Sequence, residues 1–212
     1  MSMVDALDGM MAYMDTVITN ALQVTREENK ERLSKFTQKV KEDRDFMVMI
    51  YNPLKRPVIG HGDYRSSNLM HKVNKDGTID IISIDYQTLH RGNPIMDLMY
   101  FIFTGSDKKY RDNHFKQTLE LYYTELCSAL RRFDLDPSDI YPREDFDCEL
   151  HKVMPYGLMT AIFCLVLVTV DEQDAPTVTK DTALTDFAFN PSTLYKERLN
   201  DIVDDFVAMG II

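Results

Sequence analysis

Apolar residues recur at helical spacing from the first residues onward. Val4, Leu7, Met11, Met14, Ile18 and Leu22 form one stripe, which predicts an amphipathic helix. Thr25 with Glu28 has the form of a capping box, predicting that helix restarts there and runs through Leu33, Phe36 and Val40. Further on, Phe115, Leu119, Tyr122, Leu126, Leu130 and Phe133 define a long helix stopped near Asp136-Pro137. Another helix begins near Arg143 and carries Phe146, Leu150 and Met154 into the apolar stretch Met159 to Val170. A last helix starts at Asn190-Pro191, presents Tyr195, Leu199, Ile202, Phe206 and Met209 on one face, and meets Gly210 as its stop.

Between these helical blocks the period changes. Pro57-Val58-Ile59 is a short extended piece, and Leu69 to Val73 reads as a strand. Asn74-Lys75-Asp76-Gly77 has turn composition, and the β-branched run Ile79 to Ile84 returns as a second strand. A turn centred between Lys75 and Asp76 sets Asn68 opposite Ser83 and places Asp85 two residues further along the facing strand. Asn93-Pro94 supplies a cap and a first-turn proline for the run Leu98 to Phe103. Asp171 to Asp186 is acidic and polar, as surface loops are. The fold class is therefore mainly α with a small β-hairpin. One domain over residues 1–212 is expected: helical over 1–50, a loop and hairpin over 57–87, and helical again over 94–212.

Charge narrows the function classes. Net charge is -10 over 212 residues, with no Lys/Arg cluster to offset it, so a nucleic-acid partner is not expected. The basic run from Arg26 to Lys41 is interleaved with Glu27, Glu28 and Glu31 and reads as a solvated helix face. Cys127, Cys148 and Cys164 lack metal-ligand spacing and read as reduced, buried thiols of a cytoplasmic protein. The first residues carry Asp5, Asp8 and Asp15 and no basic segment, unlike a signal peptide. Met159 to Val170 is shorter than a bilayer requires and reads as a buried core helix, so no membrane span is expected.

The segment that could carry chemistry is His61-Gly62-Asp63-Tyr64-Arg65-Ser66-Ser67-Asn68, followed by Ser83-Ile84-Asp85-Tyr86-Gln87. Phosphoryl transfer to an alcohol needs a carboxylate to orient the hydroxyl and accept its proton, and oxygen ligands for Mg²⁺ on the nucleotide phosphates. Asp63 is the candidate for the first role, Asn68 and Asp85 for the second. Diagonal neighbours across a ribbon lie roughly 7–8 Å apart, within reach of two side chains sharing one hard cation. Each residue also has an ordinary reading as turn former or cap. Only their joint occurrence around a hairpin is unusual.

The phrases His61 to Met70 and Asp85 to Phe103 resemble the ecdysteroid kinase-like family, a relative of choline kinases and aminoglycoside phosphotransferases. The family pattern is a His-Gly-Asp loop, an Asp-Phe-Gln metal motif and an Asp-Leu-x-Tyr-Phe helix start. The downstream helices, Tyr156-Gly157 and the closing segment Tyr195 to Gly210 are also similar. The resemblance implies the C-terminal lobe of a protein-kinase-like fold, with ATP as phosphate donor, Mg²⁺ as cofactor and a small-molecule hydroxyl, ecdysteroid-like, as acceptor. Carried over, Asp63 is the catalytic base and Asn68 and Asp85 are Mg²⁺ ligands. His61 is a structural residue of the loop, and Asp97 anchors the loop without touching substrate. Tyr86 replaces the usual Phe, and Arg65 stands where the family commonly has Trp. His90-Arg91-Gly92 imitates a protein-kinase His-Arg-Asp but lacks the Asp.

The eight glycines form no G-x-G-x-x-G. The resemblance therefore implies that the ATP-gripping lobe lies outside these residues, that the isolated chain turns over weakly or not at all, and that a partner covers the surface this lobe would occupy. The alternative reading is a non-catalytic, pseudokinase-like binding or regulatory protein that keeps the site residues by descent.

Overall fold

The computed structural model describes residues 3–52, 55–175, 177, 179, 182–187 and 190–212. In chain order the helices and strands begin with α1 (Met3–Val24), α2 (Glu27–Glu42), α3 (Arg44–Tyr51), β1 (Val58–Gly60), β2 (Leu69–Val73), β3 (Ile79–Ser83) and β4 (His90–Gly92). There follow α4 (Pro94–Gly105), α5 (Lys108–Arg132), α6 (Pro137–Ile140), α7 (Arg143–Val153), α8 (Pro155–Val168) and α9 (Thr193–Ala208). The architecture is mainly helical with small antiparallel strand pairs. The chain divides into two compact units, residues 1–44 with 158–212, and residues 45–157.

The first unit buries helix faces against one another. Its core takes Tyr13, Val17, Ile18 and Ala21 from α1, Leu33, Phe36 and Val40 from α2, and Leu199, Ile202 and Phe206 from α9. The stripe read in sequence is only in part the inward face of α1: Ile18 is buried and Met11 exposed, Tyr13 and Val17 outside it are buried, and the side chains of Val4 and Leu7 lie outside the described residues. The Tyr13 hydroxyl donates to the Phe163 carbonyl at 2.6 Å, so an aromatic with a polar tip, rather than a methionine, defines that face. The expected capping box is absent. Thr25 Oγ1 donates back to the Ala21 carbonyl at 2.6 Å and finishes α1 instead. Asn200 of α9 spans the break, its Oδ1 accepting from Arg26 N–H at 2.8 Å and its Nδ2 donating to the Val24 carbonyl at 3.0 Å. A distant side chain thus satisfies backbone groups that helix ends leave unpaired.

The last helix starts later than its sequence suggests. Ser192, not Asn190, is its cap, with Oγ accepting from Tyr195 N–H at 3.0 Å. Its end follows the expected stop: Gly210 has φ +69°, Gly210 N–H meets the Val207 carbonyl at 3.0 Å, and Ile211 N–H meets the Phe206 carbonyl at 3.0 Å. On α2, Lys30 pairs with Glu27 at 2.8 Å and Lys35 with Glu31 at 2.6 Å, which accounts for its interleaved charges as a solvated face.

In the second unit α4 is the spine. Asn93 Oδ1 accepts from Ile95 N–H at 2.8 Å and Pro94 occupies the first turn, a cap worth about 1 kcal/mol. Ile95, Met96, Met99, Ile102 and Phe103 are buried along it. Beside it, fully buried Phe146 of α7 meets the rings of Tyr122, Tyr123 and Tyr141. Fully buried Glu149 accepts from the Tyr141 hydroxyl and from Lys55 N–H. The helical run from Arg143 into the apolar stretch is broken at Met154, and Pro155 opens α8.

β1 pairs antiparallel with β4, Gly60 opposite His90, a partner the sequence did not suggest. The hairpin β2–β3 forms with Leu69 opposite Ser83, one residue out of the expected register. The cause is its turn. Asn74 N–H bonds the Thr78 carbonyl at 2.8 Å and Gly77 N–H the Asn74 carbonyl at 3.0 Å, leaving a three-residue loop, Lys75-Asp76-Gly77, with Gly77 at φ +83°. An odd loop is centred on Asp76 instead of between two residues, which moves the pairing by one.

Among the described residues no single helix is long and apolar enough to cross a membrane. The three cysteines form no disulfide with one another, but only Cys127 is buried; Cys148 is exposed and Cys164 half-buried, against the expectation of buried thiols.

Candidate active site

The loop after β1 is held from beneath by one carboxylate. Asp97, in the first turn of α4, accepts from His61 N–H through Oδ2 at 2.7 Å and from Gly62 N–H through Oδ1 at 3.0 Å. Gly62 sits at φ +84°, and a Cβ there would lie 2.5 Å from the Thr88 carbonyl oxygen, so the position admits only glycine without backbone movement. Thr88 Oγ1 in turn donates to the His61 carbonyl at 2.7 Å. The imidazole of His61, buried, lies 2.9 Å from the Ile84 carbonyl through Nε2. A carbonyl can only accept, so Nε2 carries the proton and His61 ties the loop to the far arm of the hairpin.

Asp63 emerges from this clamp with its carboxylate fixed on both sides. Oδ1 accepts from the Tyr100 hydroxyl at 2.9 Å, and Oδ2 accepts from Asn68 Nδ2 at 3.0 Å. The same Nδ2 also donates to the Asp63 carbonyl at 2.8 Å. Arg65 Nε lies 3.4 Å from Asp63 Oδ2, an ion pair without hydrogen-bond geometry, since that buried nitrogen has no hydrogen-bond partner.

Asn68 is buried at the end of a single 3-10 turn, Ser66–Asn68. With its N–H groups spent on Asp63, its side-chain oxygen is left as an acceptor without a partner among the described residues. Its carbonyl accepts from Ile84 N–H at 2.9 Å, so Asp85 stands next to the residue that faces Asn68, one step along instead of the expected two. In a regular ladder such a one-residue slip would send the Asp85 side chain to the opposite face. Asp85 leaves the ladder instead: at φ 66°, ψ 57° it is in the left-handed region, which frees its direction from the strand alternation. Asp85 is exposed, and among the described residues its carboxylate has no partner.

The structure thus brings His61, Asp63, Asn68 and Asp97 into one hydrogen-bonded unit and sets Asp85 beside it. Among the described residues no three His, Cys, Asp or Glu side chains form a metal-binding group. The available set is one amide oxygen and one carboxylate without a partner among the described residues, hard oxygen donors of the kind a magnesium ion takes.

Tyr100 and Arg65 were not singled out as Asp63 contacts from sequence. For Tyr100 a signal existed: it lies three residues after Asp97 on one helix, so both face the same loop. A cavity of about 800 Å³ is lined by His61 and Tyr64 of the loop and by Asp97 of α4, but not by Asp63, Asn68 or Asp85. Burial and the Asp97 charge both push the Tyr64 phenol up, and the same two causes push Tyr122 up to about 12.

No curated protein and no solved structure matches the chain. The model of the ecdysteroid kinase-like family matches residues 3–135, from α1 through the loop, the hairpin, α4 and α5, while residues 136–212 lie outside the match. With more than half of its length matched by that model, the chain belongs to the ecdysteroid kinase-like family.

Proposed function

We propose that these residues form the catalytic-loop half of a Mg²⁺- and ATP-dependent phosphotransferase acting on a small-molecule hydroxyl, in the arrangement of a kinase C-terminal lobe. The observation that carries this reading is the fixed carboxylate of Asp63, held by Tyr100 and Asn68 on a loop that Asp97 pins through two amides. A pre-oriented carboxylate is what this chemistry asks of the protein.

In this reading the acceptor hydroxyl gives its proton to an Asp63 oxygen as its own oxygen bonds the terminal phosphorus of ATP. The bond from that phosphorus to the bridging oxygen breaks, and ADP leaves. Asn68 and Asp85 would hold magnesium, which supplies positive charge against the phosphates. Tyr100 and Asn68 keep the Asp63 carboxylate from rotating, and Asp97 and His61 hold the loop backbone. The acceptor is an ecdysteroid-like lipophilic alcohol and the setting the cytoplasm, both by extension from the family. The nucleotide-covering loop and its lysine come from outside these residues. The exposed aliphatics of the hairpin, Met70 at 61% and Ile82 at 66%, support a surface that such a partner covers.

Arg65 favours a second reading, a non-catalytic binding protein, because its cation stands 3.4 Å from one oxygen of the carboxylate meant to take the proton. The two readings separate in one experiment. The chain is joined to an ATP-gripping lobe, and transfer of labelled phosphate to a panel of lipophilic alcohols is followed. Transfer that Asp63→Asn abolishes supports the enzyme; none, with the joined protein folded and binding nucleotide, leaves the binding protein. The metal assignment has its own readout. Mn²⁺ added to labelled protein should broaden the amides of Asn68 and Asp85 first, and Asp85→Asn should weaken that effect.

A further inference from the structure

The cavity of about 800 Å³ beside the loop lies wholly within the second compact unit. Its size is that of a site for a drug-sized ligand. Tyr64, Phe101, Tyr122 and Tyr141 give it a wall of rings, and Leu98 and Leu126 add aliphatic surface. Such a wall gains most from a flat, rigid body that offers large contact area at little entropic cost.

Two charged groups stand on the wall, Arg56 and Asp97. They are not equivalent. Asp97 has both oxygens engaged by the amides of His61 and Gly62. Arg56 is exposed, and among the described residues its guanidinium makes no hydrogen bond or ion pair. Of the two charged groups, its fork of donors is therefore the one with recognition capacity to spare, and a carboxylate is the anion that matches it in shape. One cation, in a chain of net charge -10, suits a monoanion better than a doubly charged phosphate monoester.

We propose that this cavity is a binding site for a lipophilic carboxylate, with a ring-bearing body among the aromatic side chains and its head on Arg56. The site is separate from the Asp63 carboxylate, whose partners Tyr100, Asn68 and Arg65 do not line the cavity. It is lined by His61 and Tyr64 of the loop and by Asp97 of α4, so a bound ligand touches residues that hold the loop carrying Asp63.

The test uses the full 212-residue chain and three matched fluorescent probes: 1-pyrenebutanoic acid, 1-pyrenebutanol and 1-pyrenebutylamine. Affinity is read by pyrene fluorescence anisotropy, with no use of phosphoryl transfer, so the outcome is independent of the proposed kinase activity. The acid should bind about tenfold more tightly than the alcohol, with the amine weakest. Arg56→Gln, at an exposed position, should bring acid and alcohol to parity. Leu126→Trp, which fills the cavity from half-buried α5, should weaken all three probes by about tenfold or more. Leu121→Trp, exposed and outside the cavity, should leave them unchanged. Equal binding of acid and alcohol, tightest binding of the amine, or indifference to both cavity variants would overturn the assignment. So would the failure of a cooperatively melting chain to bind the acid at all.

Discussion

Tyr100 donates its hydroxyl to Oδ1 of Asp63 at 2.9 Å, reaching from the helix whose first turn, through Asp97, also holds the loop on which Asp63 rides. One helix therefore fixes both the backbone and the carboxylate of the candidate base. Tyr100 is buried, so Tyr100→Phe keeps the ring packing and removes only the donor. The expected cost is about 1 kcal/mol in chemical denaturation, with the slope unchanged. If the hydroxyl were incidental, the variant would unfold at the wild-type midpoint.

Removing the clamp itself should cost more. Asp97→Ala leaves the amides of His61 and Gly62 without their acceptors, and each buried donor left unpaired costs about 1–3 kcal/mol. Asp97→Asn retains one acceptor oxygen and should lie between alanine and wild type. Hydrogen exchange makes the test local: in Asp97→Ala, the amides of His61 and Gly62 should lose protection out of proportion to the change in global stability. Protection that falls only in step with global stability would deny Asp97 its clamping role.

Much of this arrangement was legible because it rests on short-range chemistry. Asn93-Pro94 and Gly210 act as helix boundaries through interactions within a few residues, and their sequence signals hold. Long-range partners were not legible. Asn200 replaces the Thr25 capping box from 174 residues away, as the Arg26–Asn200 bond shows. The hairpin illustrates a narrower limit. Its strands were readable from β-branched runs, but its register depended on whether Gly77 joins the turn as a third, left-handed residue. That one residue decides whether Asp85 follows the face of Asn68 or must turn out of the strand. The spacing of Asp97 and Tyr100 places both toward one loop, but that Tyr100 reaches the Asp63 carboxylate follows only once the loop is folded back on α4, and the approach of Arg65 to Asp63 depends on the turn of the loop itself.

Alkaline titration offers a check on the packing beside the loop. Burial, then the Asp97 charge, pushes the Tyr122 phenol up to about 12, against an ordinary value of about 10. The native value lies above the unfolded one, so the stabilisation tied to the protonated phenol is complete below pH ~10 and is lost as pH rises toward ~12. Tyr122 also donates to the Pro94 carbonyl at 3.0 Å. Tyr122→Phe should therefore be about 1 kcal/mol less stable than wild type near neutrality, with the gap narrowing between pH ~10 and ~12. The other buried tyrosines titrate in both proteins and cancel in the difference. A gap that stays constant through that window would show that the phenol is not shifted upward.

Arg65 is the residue on which the catalytic reading is most exposed to refutation. Its Nε stands 3.4 Å from Asp63 Oδ2, yet the pair is partly exposed and lacks hydrogen-bond geometry, so its contribution to stability should be small. Arg65→Gln is therefore expected to change unfolding free energy by less than about 1 kcal/mol. If the proposed transfer takes place at Asp63, the effect of Arg65→Gln there should be larger, because a guanidinium beside that carboxylate would face the charge developing on the transferred group. In a preparation with Asp63-dependent transfer, kcat should fall by about tenfold or more, while KM for the alcohol changes little. That split separates charge stabilisation from packing, since a merely structural arginine would alter melting and leave kcat intact. A rise in kcat would mean the opposite role: the cation restrains Asp63, and its removal frees a base that this chain holds in check.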